Sequence, residues 1–353
     1  MRFLFYITGI LIVSCSSFPE SGDQTVNHRQ TALDAPIAEY VVSIFEDTKG
    51  NLWFGTVGSG MAMYNGNELV YYTTAEGLPD NTTTDFVEDA QGHLWIATHN
   101  GLSKYDGHSF KNYMVNDGLA DNRVSELFID SKGMLWIGTW AGVSQFKDSE
   151  ISKFEIPYPN IEKYPHSSMQ DWVTEITEDP SGNIWIGRDG YGACRYDGTN
   201  FTHYTKSEGL TSNSVQEIHI DHLGNTWFGY RITESDHPDP KQRNGKGGVS
   251  LFEGNLVNQM TLEQGLDEFE TFAITQGKGT TIWFGANKHG VYKYDDQGLA
   301  LFHKTDRADL MPYGYGVQSI LEDSKGNVWI GLSGGLFRLE GDSIKHISKN
   351  KGW

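Results

Sequence analysis

One seven-residue word recurs along this chain. It reads GNLWFGT at 50–56, GHLWIAT at 92–98, GMLWIGT at 133–139, GNIWIGR at 182–188, GNTWFGY at 224–230, TTIWFGA at 280–286 and GNVWIGL at 326–332. The tryptophans are Trp53, Trp95, Trp136, Trp185, Trp227, Trp283 and Trp329, with spacings of 42, 41, 49, 42, 56 and 46 residues. A minimum near 41 with variable excess means a fixed unit carrying loop insertions. Self-similarity at such a period is the signature of a repeat architecture.

The unit is plainest in the second repeat. TTDFVE reads as a short strand, DAQGH as a turn and LWIAT as a second, mostly apolar strand. GLSKY then runs into Asp-Gly, a hairpin signal, and SFKNYM alternates as a fourth strand. Four short strands per repeat, without helical periodicity, predict an all-β fold: a seven-bladed β-propeller with four antiparallel strands per blade. The blades are expected at about 40–73, 82–114, 123–156, 172–205, 214–260, 271–304 and 316–348, within a propeller spanning 25–353. Either the strand-like 343–348 or 25–30 is expected to lock the first blade to the last, because open sheet edges are a liability.

The word has a structural reading. Tryptophan wedges a large apolar body between blades. The glycine after it (Gly55, Gly138, Gly187, Gly229, Gly285, Gly331) permits close backbone approach. The D-x-x-G before it (47–50, 130–133, 179–182, 221–224, 323–326) is a turn in which Asp bonds its own backbone.

The extended pattern V-x-x-I-x-E-D-x-x-G-N-L-W-I-G-T…G-L-x-x-Y-D-G-x-x-F-x-x-Y resembles the two-component regulator propeller repeat, and it covers about 40–348. The sixth unit departs most, with GKGTT in place of the Asp-led turn. The resemblance implies a periplasmic sensor-type domain of the kind found in hybrid histidine kinases, with glycan fragments as associated ligands. This chain carries one propeller's worth of repeats and no kinase segment.

At the amino end, residues 1–14 read as a lipoprotein signal peptide: Arg2, an apolar run over 3–13, then IVSC. Cys15 is the expected lipidation site, and 15–24 a polar tether. That places the chain in the envelope of a Gram-negative bacterium, on the periplasmic or outer-membrane face, with the lipid as its membrane contact. The other cysteine, Cys194, leaves a mature lipoprotein without a disulfide. A net charge of −19 argues against nucleic acid as partner.

Loops in such blades alternate between two faces. The long connections, 156–171, 230–248 and 305–316, fall on one of them. That face gathers His99, Asn100, Trp140, Trp172, Arg188, Asp189, Tyr191, Tyr230, Arg231, Asn287, Lys288, His289, Tyr313 and Tyr315 as candidate ligand residues. Flat aromatic faces beside planar polar groups suit sugar rings. On the innermost strand, the position ten before each Trp reads Ser43, Asp85, Glu126, Glu175, Glu217, Ala273 and Ser319. Its four carboxylates, Asp85, Glu126, Glu175 and Glu217, are either satisfied by channel water and neighbouring Ser, Thr or Arg, or form a candidate site for Ca²⁺ or Mg²⁺, a polar ligand cradle or a general acid/base pair.

Three functions follow. The first is a lipid-anchored propeller that binds a carbohydrate or other polar ligand and works with a sensor kinase or transporter. The second is a metal-dependent lyase or hydrolase using His99, His289 and Glu217. The third is a protein–protein scaffold. No catalytic motif stands out, so no catalytic residue is assigned.

Overall fold

The second strand of every blade is buried along its whole length, from Leu52–Thr56 in blade one to Val328–Leu332 in blade seven. That is why the word is a continuous apolar run: both faces of this strand are covered by neighbouring blades. The structure, a computed structural model, describes residues 36–161, 171–232, 245–253, 256–259, 269–307, 316–350 and 353. Within them the chain forms seven antiparallel meanders, each ordered from inner to outer strand. Blade one runs Val41–Glu46, Leu52–Thr56, Met61–Tyr64 and Leu69–Tyr72. Described helix is confined to two single 3₁₀ turns between blades, Val115–Asp117 and Lys206–Glu208.

The core lies between blades. Trp53 and Met61 of blade one pack with Phe86, Leu94 and Ile96 of blade two. Six of the seven tryptophans are anchored by the aspartate six residues earlier: Asp47, Asp89, Asp130, Asp179, Asp221 and Asp323 each accept the indole N–H at 2.8–3.1 Å. The other carboxylate oxygen accepts backbone N–H groups of the turn, as Asp47 Oδ1 does from Lys49 and Asn51. The aspartate thus closes its turn and orients its wedge together. Blade six has no such aspartate, and Trp283 Nε1 donates instead to Glu322 of blade seven, 3.0 Å away.

A second device ties blades together on the turn side. Glu88 of blade two accepts from the backbone N and Oγ1 of Thr48 in blade one (2.7 and 3.0 Å). Glu178 does the same for Ser131, and Glu46 for Ser324. Gln276 and Glu322 accept the backbone N–H of His222 and Lys278. At the two seams where the next blade offers Ile129 or Ile220, the turn residue is Ala90 or Pro180.

The outer strand of blade seven, Ser343–Ile347, belongs to the carboxy-terminal segment. A short strand, Lys304–Thr305, runs parallel to it as a fifth member of the sheet. The seam between blades seven and one is joined by a bridge from Pro36 to Ser348. Trp353 stacks on Tyr64 with centroids 4.0 Å apart. Phe54, Ala62, Trp329, Leu336 and Ile347 fill the core beneath. Residues 25–30 lie outside the described residues. Gly331 shows how close the blades come: a Cβ there would sit 2.8 Å from the carbonyl oxygen of Val41.

Candidate functional site

The face opposite the turns is built on one repeated hydrogen bond. In blades one to six the residue four after the tryptophan donates its N–H to the carbonyl thirteen before that tryptophan. His99 bonds Thr82, Trp140 bonds Arg123, Asp189 bonds Trp172, Arg231 bonds Ser214 and Asn287 bonds Glu270, all at 2.9–3.1 Å. Two columns of side chains therefore ring the mouth of the channel. In blade one they are Tyr40 and Val57, and in blade seven Gly316 and Ser333. Bulk and charge accordingly concentrate over blades two to six.

Three groupings result. The first is aromatic. Trp140 lies 5.4 Å from Trp172, tilted by 32°, and 6.0 Å from the His99 ring, edge-on. The Arg123 guanidinium sits 4.6 Å over Trp140 and is held by both oxygens of Asp121 (3.1 and 2.7 Å). Burial keeps the His99 imidazole below its ordinary pKa; the nearby Asp80 charge opposes this and the Arg123 charge adds to it. Its Nε2 and the Trp172 Nε1 are both covered by protein and have no hydrogen-bond partner.

The second grouping is ionic. Buried Asp189 pairs with Arg231 of the next blade at 3.2 Å. Burial pushes the Asp189 carboxyl up, and Arg231 counteracts it. Glu270, also raised by burial, accepts the N–H of Ile232 at 3.1 Å and faces Arg231, Lys288 and Asn287. The third grouping sits on blade four. Buried Arg188 lies between the rings of Tyr158 and Tyr191 (5.0 and 4.6 Å) and bonds Asp171 at 3.0 Å.

The remaining candidates are scattered. Asn100 and Lys288 are exposed beside the ring, Lys288 with a φ of 66°. His289 is turned away, stacked on Phe269 at 4.5 Å and bonded to the Tyr292 hydroxyl at 2.6 Å. Tyr230 is fully buried among Trp185, Phe228 and Phe252, so it serves the core of blades four and five. The side chains of Arg188 and Tyr191 are likewise buried and mutually engaged. Tyr313 and Tyr315 lie outside the described residues. Arg123, Tyr158, Asp171 and Glu270 join these groupings without having been singled out. The column thirteen before each Trp contains Arg123 and Glu270 and would have exposed both.

The carboxylate column lies at a β-bulge in the innermost strand. The register shifts just before Ser43, Asp85, Glu126, Glu175 and Glu217. Each of these five pairs with the small residue of its word: Gly55, Ala97, Gly138, Gly187 or Gly229. The bulged residues hold the next blade: Thr84, Ser125 and Thr174 donate to the carbonyls of Val124, Val173 and Val215 (2.9, 2.6 and 2.8 Å). Asp85 accepts from Leu127 N at 2.9 Å and from the Ser43 hydroxyl at 3.5 Å. Burial lifts its carboxyl to about 7. Burial, then the neighbouring column carboxylates, lifts Glu126, Glu175 and Glu217 well above the usual range. These groups touch channel solvent yet are walled by protein on every side, which disfavours their charged forms. Among the described residues no three His, Cys, Asp or Glu side chains are arranged to hold a metal ion.

Comparison with known proteins follows this geometry. Residues 36–58, 77–100, 118–141 and 314–334 match the model of the two component regulator propeller. Four of its seven repeats thus match that model, and the chain folds as a seven-bladed propeller. No curated protein sequence matches it. Among solved structures it is similar to the extracellular domain of a protein assigned as a hybrid two component system from B. thetaiotaomicron. That match has 23% identity and a TM-score of 0.67, over 85% of this chain and 39% of that one. A second extracellular domain from B. thetaiotaomicron, assigned to a one component system, matches at 19% identity and a TM-score of 0.63, over 89% of this chain and 42% of that one. A catalytically inactive virginiamycin B lyase from Staphylococcus aureus, with quinupristin, matches at 13% identity and a TM-score of 0.64, over 87% and 94%. This chain thus spans about two fifths of either Bacteroides domain. At these identities the likeness is one of fold.

Proposed function

We propose that this regulator propeller is a sensor-type binding protein of the bacterial envelope, tethered through Cys15, that takes a carbohydrate or similar polar ligand on the loop-rich mouth. It has no kinase activity of its own, and works by presenting the ligated state to an envelope partner such as a sensor kinase or transporter. The observation that supports this most is the Trp140–Trp172 pair, two indoles 5.4 Å apart beside unpartnered polar nitrogens. Indole faces stack on the apolar faces of sugar rings while polar edges meet hydroxyls. The extracellular character of the Bacteroides relatives agrees with an exported role. Among the described residues no helix is long and apolar enough to cross a membrane.

The lyase alternative has the similar fold of virginiamycin B lyase in its favour. Its candidate residues are dispersed: His99 lies in the aromatic corner, His289 is engaged by Phe269 and Tyr292, and Glu217 lies in the channel column. The test is thermal unfolding of the purified chain against an oligosaccharide panel, with Ca²⁺ or with EDTA. A ligand that binds only the folded state raises the midpoint. A sugar-specific rise that disappears in Trp140→Ala and Trp172→Ala supports the reading. A rise that survives both changes refutes this placement, and a rise from cation alone shifts attention to the column.

A further inference from the structure

On the turn face, opposite the mouth, two seams lack the clasp that joins the other blades. A clasp needs an N–H donor in one turn and an acceptor at the end of the next inner strand. Between blades four and five both are replaced, by Pro180 and Ile220. Losing both partners together strands neither a donor nor an acceptor, and the seam presents an apolar step instead. Ala90 and Ile129 make a similar pair between blades two and three, but the turn of the following blade carries Lys132 there and Leu223 here. Leu223 is 69% exposed, against 56% for Tyr158 and 44% for Val115, the other large apolar side chains exposed among the described residues. Its turn lies against the proline: a Cβ on Gly224 would sit 3.4 Å from the Pro180 ring.

Pro180 and Ile220 line a cavity of about 420 Å³ that opens to solvent at this seam. Its walls include Ser131, Glu178, Asp179 and Asp221, and no Lys or Arg is among its lining residues. Glu178 accepts from Ser131 N and Oγ at 2.7 and 2.8 Å, one bond to each oxygen, and a carboxylate oxygen can accept a second. Burial opposes charge on Asp179 and Asp221, but hydrogen bonds from Asn183 and Trp185, and from Trp227 and Asn225, hold both below the ordinary carboxylate range. The groove therefore combines an apolar step with fixed negative charge. We infer that this groove docks a protein partner through a segment in which a large aliphatic side chain is flanked by lysine or arginine. The aliphatic group covers Pro180, Ile220 and Leu223, and the flanking cations lie against Glu178, Asp179 and Asp221. A second copy of this chain, with a net charge of −19, would bring like charge to like charge. The groove lies on the face opposite the proposed sugar site and does not depend on what the mouth binds.

The experiment is methyl NMR titration of the full chain with three capped pentapeptides: Lys-Lys-Leu-Lys-Lys, Lys-Lys-Gly-Lys-Lys and Glu-Glu-Leu-Glu-Glu. The first should move the Ile220 and Leu223 methyl resonances and bind at least about tenfold more tightly than the glycine peptide, the scale of burying one leucine side chain. The acidic peptide should leave those resonances in place. Leu223→Ser, a change at an exposed position, should narrow the gap between the two basic peptides. Pro180→Ser with Ile220→Glu, which supplies both halves of the missing clasp, should abolish it. That pair adds negative charge, so a peptide held by charge alone would bind it more tightly, not less. Folding of each variant is checked by its unfolding midpoint. Equal affinity for the leucine and glycine peptides, resonance changes confined to other residues, or a leucine preference that survives both variants overturns the groove. So does the absence of binding by all three peptides. Self-association in sedimentation that disappears in Leu223→Ser assigns the face to a second copy and overturns the basic partner. Each of these outcomes leaves the carbohydrate reading of the mouth standing.

Discussion

Each aspartate of the repeated turn does three tasks with two oxygens. Asp323 accepts from Lys325 N, Asn327 N, Asn327 Nδ2 and Trp329 Nε1 at 2.7–3.0 Å. Asp323→Ala would strand those donors and loosen a tryptophan buried at the ring seam. A loss on the order of 2–4 kcal/mol is expected in urea unfolding, the usual scale for a broken buried network. Protonation has a related effect. Burial alone would raise the Asp89 carboxyl, but hydrogen bonds from His93, Lys104 and Trp95 bring it down to about 2. Its stabilisation is present above the ordinary carboxylate range and is lost as pH falls toward 2.

The channel carboxyls act in the opposite sense. Asp85 has a folded pKa of about 7, above the roughly 4 of an unfolded Asp. Between those values the folded chain holds a proton that the unfolded chain has released, so stability falls as pH rises from about 4 to about 7. Glu126, Glu175 and Glu217 are raised as well and extend the decline. Melting midpoints measured against pH should therefore drop on the alkaline side. Asp85→Asn, and Gln at the three glutamates, should flatten that drop. A parent chain that gains stability between pH 5 and 7.5 would refute this account of the column.

At the scale of the element, blades are joined by covalent connections and by carboxylate clasps such as Glu178 on Ser131. The clasp is solvent-exposed, so Glu178→Ala should cost no more than about 1 kcal/mol. The seam between blades four and five has none, because Pro180 has no N–H to donate and Ile220 has no acceptor. Pro180→Ser with Ile220→Glu should install one, and a double-mutant cycle in chemical denaturation should show positive coupling of a few tenths of a kcal/mol. The match of isoleucine to Ala90 or Pro180, and of Glu or Gln to Thr48, Ser131, His222, Lys278 and Ser324, joins positions about 40 to 50 residues apart, or across the whole chain. It is invisible until the blades are laid side by side. The Asp-to-Trp bond spans only six residues, yet the turn reading reached the aspartate without its indole partner. From sequence the repeated Trp reads as a wedge alone.

At the scale of the molecule, one seam has no covalent connection. Blade seven meets blade one through Pro36–Ser348, the Glu46 clasp and Trp353 on Tyr64. Glu46→Ala should therefore lower the melting midpoint more than Glu178→Ala, although the two clasps have the same local chemistry. Equal effects would mean that the closing seam is no weaker than the rest. The proposed tether belongs to this scale too: a lipid on Cys15 predicts that Cys15→Ser releases the protein from membranes in cell fractionation and abolishes labelling by a fatty-acid probe.

The repeated word was enough to specify seven blades of four strands, because period, turn chemistry and an apolar second strand are local properties. Aromatic and polar residues could also be assigned to the mouth, because loop faces follow from strand order. Their individual roles could not be read that way. Tyr230 and Arg188 look like neighbours of Trp140 in the repeat, yet burial draws the first into the core and Tyr158, Tyr191 and Asp171 enclose the second. Conversely, Arg123 and Glu270 enter the mouth through a column that gains meaning only when its carbonyls are seen to accept from the opposite column. Local pattern determined the blades of this propeller. Which side chains meet, which are covered and which nitrogens remain unpaired was decided only when the ring brought distant repeats into contact.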